Sequence, residues 1–374
     1  MLRSLFSAAI LSWGVSAAVL DVFQVYPPVL TPAGLTNGTG NPYAVNGATG
    51  QGCVVQQVLV QHVFGYSYGV PYVGPYTPPS CSFNRVTWNL TVTSAGRQFD
   101  RLGAIYFGDT ELWRTSTAEP TQAGIEWTYI KDMSEYLALM KQPQKLIFDL
   151  GNLIDSTYTG SYNVTLTATY FTGVDTVNPA DQILAISTHQ GAQNQSSQFS
   201  LPSQNATNSV ALPRNIKKAV VSIAATGQIG EEFWYTNVST SHHTQDIPVD
   251  IAQVPNSVVN TFGAGFLYGA SPYREVQLYI DGLLAGIVEP FPIIFTGGIV
   301  PGLWRPSVGI DAFDLREDEI DITPFLPLLC DGHNHTFTIV VSGLNDDGQG
   351  GGSLSETVPS YWVSLYKTAL YQPS

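Results

Sequence analysis

From Val86 onward, apolar and polar positions repeat with a period of two. Tyr162-Asn163-Val164-Thr165-Leu166-Thr167-Ala168-Thr169-Tyr170 alternates along its whole length. That spacing sends one set of side chains to each face of a half-buried strand. Val276 to Ile280 does the same and ends at Asp281-Gly282, a hairpin-turn dipeptide. His335 to Val341 and Tyr361 to Tyr366 are further strands by this pattern. Within Lys131 to Leu146 the residues around Met133-Tyr136 suit one short helical turn, and no other stretch has a helical period.

Two stretches interrupt the alternation. Residues 19–50 are rich in Pro, Gly, Thr and Asn, which suits an extended leading segment. Gln190 to Asn208 is almost all small and amide residues, poor material for a core. The pattern therefore predicts an all-β chain of two antiparallel jelly-roll-type β-sandwich domains packed side by side. The N-terminal sandwich is expected over 19–189, a linker or long surface loop over 190–210, and the C-terminal sandwich over 211–374. Gly343 to Ser355 is expected to be a flexible Gly-rich loop before a last strand.

Composition agrees. Of 374 residues only 12% are charged, while Gly (35) and Pro (24) abound, as short strands and frequent turns require. A net charge of −14 without any basic run excludes nucleic acid as a partner. Residues 1–18 read as a signal peptide: Arg3, then the apolar Leu5 to Val15, then Ser16-Ala17-Ala18. Its removal leaves a secreted chain with no membrane segment. Seven Asn-X-Ser/Thr sequons, at Asn37, Asn89, Asn163, Asn194, Asn205, Asn237 and Asn334, suit a secretory glycoprotein with most of them on the surface. In an oxidising compartment Cys53 and Cys81 can close a disulfide, leaving Cys330 over. No Cys/His grouping has metal-ligand spacing, and His242, His243, His333 and His335 read as surface histidines. No cofactor is expected.

Four segments combine polar groups with aromatics. Phe99-Asp100-Arg101 precedes the apolar Ala104-Ile105-Tyr106-Phe107; neighbouring strand residues point to opposite faces, so the pair reads either as a turn-closing surface pair or as two groups that act separately. Leu112 to Thr121 carries Arg114, a run of hydroxyls and Glu119, with Trp113 and Trp127 nearby. It reads as a sugar-binding face or as a Thr-rich loop over buried tryptophans. Glu231-Glu232-Phe233-Trp234-Tyr235 sets carboxyls against aromatic rings, which raises a carboxyl pKa and suits a proton donor, or else is an acidic turn. Gly297-Gly298 marks a tight turn or close backbone approach, and Arg305 between Trp304 and Pro306 is held rather than free.

In order along the chain, FDR, LWRTSTAEPTQAGIEW, EEFWYTN, PYREVQLYIDG, PFPIIFTGGI, LWRP and DITPFLPLL resemble the peptide:N-glycosidase A family of plants and fungi, over residues 20 to 374. The resemblance implies a secreted amidase that hydrolyses the N-acetylglucosamine–asparagine bond of N-glycopeptides and glycoproteins, releasing the glycan and leaving Asp. It implies Asp100 as the principal catalytic carboxylate and Glu232 as its counterpart from the second domain. Arg101 and Arg305 are implied in substrate binding, and Asp149 only by the region in which it lies; Trp234 and Glu119, from the aromatic and hydroxyl-rich segments above, are expected to bind substrate with them. Asp100 would activate water, Arg101 would hold an oxyanion or the sugar, and Glu232 would donate a proton through water or hold the N-acetyl group. With an ordinary pKa near ~3.9, Asp100 is expected to be ionised at about pH 5. The other readings are a non-catalytic glycan-binding or cell-wall module of the same fold, and a glycosidase using Asp100 and Glu232 as a carboxylate pair. Members are expected to run beyond residue 374, so a C-terminal segment or subunit is a further expected partner.

Overall fold

The computed structural model describes residues 19–38, 42–43, 52–173, 178–237, 239, 270–298, 302, 305–357 and 362–372. The expected signal peptide, His242, His243 and Trp304 lie outside them. The described chain is all-β, with most of its strands in two sets of facing sheets and a small three-stranded sheet formed by Leu30–Thr31, Gly34–Thr36 and Pro42–Tyr43.

In the first set, a five-stranded sheet runs Leu20–Asp21, Ile125–Asp132, Arg85–Ser94, Tyr162–Phe171, Val54–Phe64. Facing it is a four-stranded sheet ordered Tyr72–Tyr76, Gln144–Leu150, Leu102–Phe107, Thr110–Ser116. All pairs are antiparallel except that of Leu20–Asp21 with Ile125–Asp132. The alternation sets the register: Tyr162, Val164, Leu166, Ala168 and Tyr170 are all buried and join Trp88, Leu90, Trp113, Trp127 and Phe148 in one core. Each large apolar side chain among them contributes roughly 1.5–3 kcal/mol by leaving water. Trp113 and Trp127 therefore belong to the core and offer no face to a sugar.

The second set has its own core around Val221, Ile223, Leu278, Ile280, Phe337, Trp362 and Tyr366. One sheet runs Gln182–Ile186, Trp362–Tyr371, Lys218–Gly227, Asp318–Asp321, and the other Ala206–Ala211, Asn334–Asp346, Glu275–Ile280, Leu283–Val288. Asp281 and Gly282 turn the Glu275–Ile280 hairpin with φ of 50° and 80°, as a two-residue turn of this hand demands. The short helical turn appears as a 3-10 turn at Ser134–Tyr136 followed by Leu137–Met140.

Several expectations change. Residues 190–210, read as a linker or loop, contain the strand Phe199–Leu201 and most of Ala206–Ala211, which pair with Trp362–Tyr371 and Asn334–Asp346. Phe199, Leu201 and Ala206 point inward, and Val210 packs partly buried against the same core. Gly343 to Ser355 is the end of a hairpin, with Leu344 opposite Leu354. His335 is buried rather than on the surface, its ring nitrogens meeting Asp281 at 2.7 Å and Asp331 at 3.1 Å. The Asn237 sequon is buried too, with the side-chain nitrogen closed off from solvent. Asn37, Asn163, Asn194, Asn205 and Asn334 are exposed and Asn89 is half-buried. Cys53 and Cys81 are joined, and Cys330 is a free thiol.

Buried polar groups tie the two sets together. Arg114 makes a two-pronged pair with Glu111, Nε to Oε1 and Nη2 to Oε2 both at 2.8 Å, and its Nη1 donates to Thr226 of the second set. Lys367 of the second set donates to the Glu111 carbonyl and the Tyr136 hydroxyl. Residues 312–315 run along the Thr110–Ser116 strand, with Ser116 N donating to Ala312 O and Leu315 N to Arg114 O. Phe313 then stacks on Trp127 at 5.4 Å inside the first core. A charge in a dry interface tolerates little misplacement, so these contacts define how the second set meets the first.

Candidate active site

A cleft of about 400 Å³ opens where the two sets meet, lined by Tyr68, Asp100, Arg101, Asp149, Gln198 and Glu232 among others. Asp100 sits just before the Leu102–Phe107 strand. Its neighbour Arg101 lines the same cleft, because both residues precede the strand and are not bound by its opposite-face alternation. Arg101 donates from Nη2 to Gln98 (2.6 Å), from Nη1 to the Tyr68 hydroxyl (2.8 Å) and from Nε to Asn152 (3.3 Å). Each guanidinium nitrogen is thus tied, which holds the cation rigid at the cleft wall while leaving spare N–H groups.

Asp100 faces two other parts of the chain. The backbone N–H groups of Gly297 and of Asp100 itself act on its carboxylate. Glu119, three residues past the Thr110–Ser116 strand, lies beside it and is influenced by the same Asp100 N–H. A Cβ placed on Gly297 would fall nearer than 3.0 Å to both Asp100 Oδ1 and Glu119 Oε1. This is the close approach that the Gly297-Gly298 dipeptide signals. The 295–298 turn is held in place by Thr296, whose hydroxyl donates to Thr117 O at 2.6 Å. Arg305 completes this side by donating to the Glu119 carbonyl at 2.9 Å.

Glu232 reaches the cleft from the second set. It follows a 3-10 turn, Ile229–Glu231, anchored by the preceding carboxylate. Glu231 is wholly buried and paired with Arg274 through two bonds of 2.7 and 2.9 Å, with the Trp362 indole N–H adding a third at 3.1 Å. Arg274 spends its remaining Nη1 donors on the carbonyls of Ala270, Ser271 and Tyr273. Of the two adjacent glutamates, Glu231 is therefore half of a structural ion pair and Glu232 is a cleft carboxyl.

Burial dominates the electrostatics. It pushes the Asp100 carboxyl up to about 6, against the pull of the two N–H groups and Arg101. It pushes Glu119 up to about 7, helped by the Asp100 charge and opposed by Arg305. Glu232 also rises to about 7, from burial and then from the charges of Asp100 and Glu119. Asp100 is thus largely protonated at pH 5, contrary to the expectation from an ordinary Asp; desolvation of the site is the reason. Burial also raises Asp149, which accepts a bond from the Ser196 hydroxyl at 2.6 Å.

The structure brings Asp100, Arg101, Asp149 and Glu232 to one cleft, with Glu119 and Arg305 beside Asp100. Trp234 does not line this cleft; it packs toward Trp362 at 6.2 Å and lines an adjoining small hollow that shares Glu232 with the cleft. The hydroxyls of Thr115, Ser116 and Thr117 are buried and engaged with backbone, so they are not a sugar-binding row. Tyr68 and Gln198 were missed from sequence. The Tyr66-Ser67-Tyr68 aromatics were a weak signal for the first, and nothing marked Gln198 within its amide-rich stretch.

Comparison with known proteins shows the family of the chain. A family described as Peptide N-acetyl-beta-D-glucosaminyl asparaginase amidase A matches residues 42–373. The almond (Prunus dulcis) protein named Peptide-N4-(N-acetyl-beta-glucosaminyl)asparagine amidase A is 36% identical over 312 residues, covering 77% of this chain and 52% of the almond protein. The chain thus spans about half the length of that curated relative. The solved structure of PNGF-II is similar with a TM-score of 0.55 at 12% identity, covering 86% of this chain and 66% of the other. At that identity the likeness is one of fold.

Proposed function

Since the chain belongs to the Peptide N-acetyl-beta-D-glucosaminyl asparaginase amidase A family, we propose that it hydrolyses the amide joining N-acetylglucosamine to asparagine in N-glycopeptides, releasing the glycan and leaving Asp. The observation that carries this reading is the meeting of Asp100 and Glu232 in one cleft beside a rigidly held Arg101. Amide hydrolysis needs a base for water, a cation or donor for the developing oxyanion, and a proton for the departing nitrogen.

Asp100, once ionised, takes the proton of the attacking water. The spare N–H groups of Arg101 face the same cleft and suit the oxyanion or the first sugar. Glu232, held protonated on the opposite wall, donates a hydrogen bond toward the sugar side of the scissile bond. Asp149 and Gln198 supply polar contacts for the glycan, and Arg305 steadies Glu119. A signal peptide, exposed sequons and a Cys53–Cys81 bridge support secretion into an oxidising compartment. Among the described residues no helix is long and apolar enough to cross a membrane.

The test is digestion of a denatured glycopeptide between about pH 6 and 7, read by mass spectrometry. Free glycan together with Asn-to-Asp conversion is the expected result, and Asp100→Asn should abolish it. Cleavage between sugars with one sugar left on Asn would replace this reading by the carboxylate-pair glycosidase. Binding without turnover would replace it by the glycan-binding module.

A further inference from the structure

Resting on that reading, we infer that Asp100 and Glu119 form a pair holding a single proton, and that Glu119 is the residue that delivers it to the departing nitrogen. The geometry is specific to these two carboxyls. Asp100 Oδ1 and Glu119 Oε1 both lie within 3.0 Å of one point over Gly297. The Asp100 N–H serves both groups. Glu232 shares none of these donors and feels Asp100 and Glu119 only through their charge. Two carboxylates this close in a poorly solvated site do not both ionise readily; one keeps a proton. The Gly297 N–H acts on Asp100 alone and favours the charge on that member, which lines the cleft, and Glu119 keeps the proton.

The groups facing the pair are Arg101 from the same segment, Arg305 beside the Glu119 backbone, Glu232 from the second set and the buried Tyr162. Arg305 and Arg101 both lower the Glu119 pKa, and burial and Asp100 outweigh them.

The proton balance closes. As the water oxygen bonds to the amide carbon, water gives a proton to Asp100 and the carbonyl becomes an oxyanion. When the oxyanion collapses, the C–N bond breaks and Glu119 gives its proton to nitrogen, which leaves as the glycosylamine. Asp100 then passes its proton to the adjacent Glu119 carboxylate, restoring the starting state. One water is consumed, and its second hydrogen leaves with the new carboxyl group.

The experiment compares wild type, Glu119→Gln and Glu232→Gln by kinetics on a glycopeptide and by infrared titration of protonated carboxyls. For Glu119→Gln, kcat should fall about 10²–10³-fold with little change in KM, and the alkaline limb should vanish while the acid limb persists. Below about pH 7 the infrared difference between wild type and Glu119→Gln should show the loss of one protonated-carboxyl component, distinct from the Glu232 component that is lost in a folded Glu232→Gln. An unchanged kcat, a retained alkaline limb, or a band lost only in Glu232→Gln would overturn the inference. Should wild type not turn over glycopeptide, the amidase reading falls by itself, and the infrared arm still decides whether the pair exists. A Glu119→Gln variant that fails to fold would be replaced by Glu119→Asp, which keeps a titrating carboxyl and should retain the alkaline limb.

Discussion

Replacing Gly297 by Ala is the most direct mechanical test of the site. The new methyl group would sit nearer than 3.0 Å to Asp100 Oδ1 and Glu119 Oε1, a separation real Cβ atoms do not adopt. Either the carboxyls or the 295–298 turn must retreat by on the order of 1 Å, a misplacement that costs about 10²-fold in rate when it befalls a reacting group. Gly297 is not in the left-handed region, so its backbone accepts Ala without strain. The cost to stability should therefore be that of modest overpacking, about 1–3 kcal/mol. Gly302→Ala is the control, because its Cβ would meet nothing within 4 Å. Glycopeptide hydrolysis followed by chromatography, with a thermal melt on the same samples, separates the two effects. The expected result is kcat down about 10²-fold in Gly297→Ala and unchanged in Gly302→Ala. A folded Gly297→Ala within about threefold of wild type, a barrier change under ~0.7 kcal/mol, would refute the claim that Asp100 and Glu119 converge there.

Two further outcomes follow from the buried charges. Glu231→Gln leaves Arg274 with an uncompensated charge in a fully buried site, so stability should fall by about 3–5 kcal/mol, seen as a lower Tm, and activity should fall with it as the turn bearing Glu232 loosens. Asp100, Glu119 and Glu232 all have folded pKa values above their unfolded ones, and so does His335, held by Asp281 and Asp331. The folded state thus binds more protons than the unfolded one, and each contribution is present in full below the unfolded pKa and lost as pH rises through the folded value. Tm should fall as pH rises from about 5 to 8; a Tm that rises over this interval in a calorimetric scan would contradict the assignments.

The alternation from Val86 onward was sufficient for an all-β chain, because the side-chain period of a strand is local and one face must leave water. The Asp281-Gly282 turn was legible for the same reason, since its φ values depend only on the residues that occupy it. Motif order identified the family and, through it, offered Asp100, Arg101 and Glu232 as candidates, which meet in one cleft. Local pattern failed where tertiary contacts outweighed composition. The amide-rich 190–210 stretch became strands because Phe199, Leu201 and Ala206 found a core to enter. Trp113, Trp127 and the Thr115–Thr117 hydroxyls looked like a binding face and are interior. Trp234 was expected to bind substrate and packs toward Trp362, off the wall of the cleft.

What belongs to the sequence alone is therefore the strand pattern, the turns, the chemistry available and the family. Tertiary structure decided which carboxyls meet. Asp100, Glu119 and Glu232 lie on separate stretches of the chain and converge only where the two sets of sheets join. Their raised pKa values come from desolvation at that junction, and no stretch of sequence carries that property by itself. The same junction made one of two neighbouring glutamates a buried anchor and left the other in the cleft, because only Glu231 meets Arg274 and Trp362.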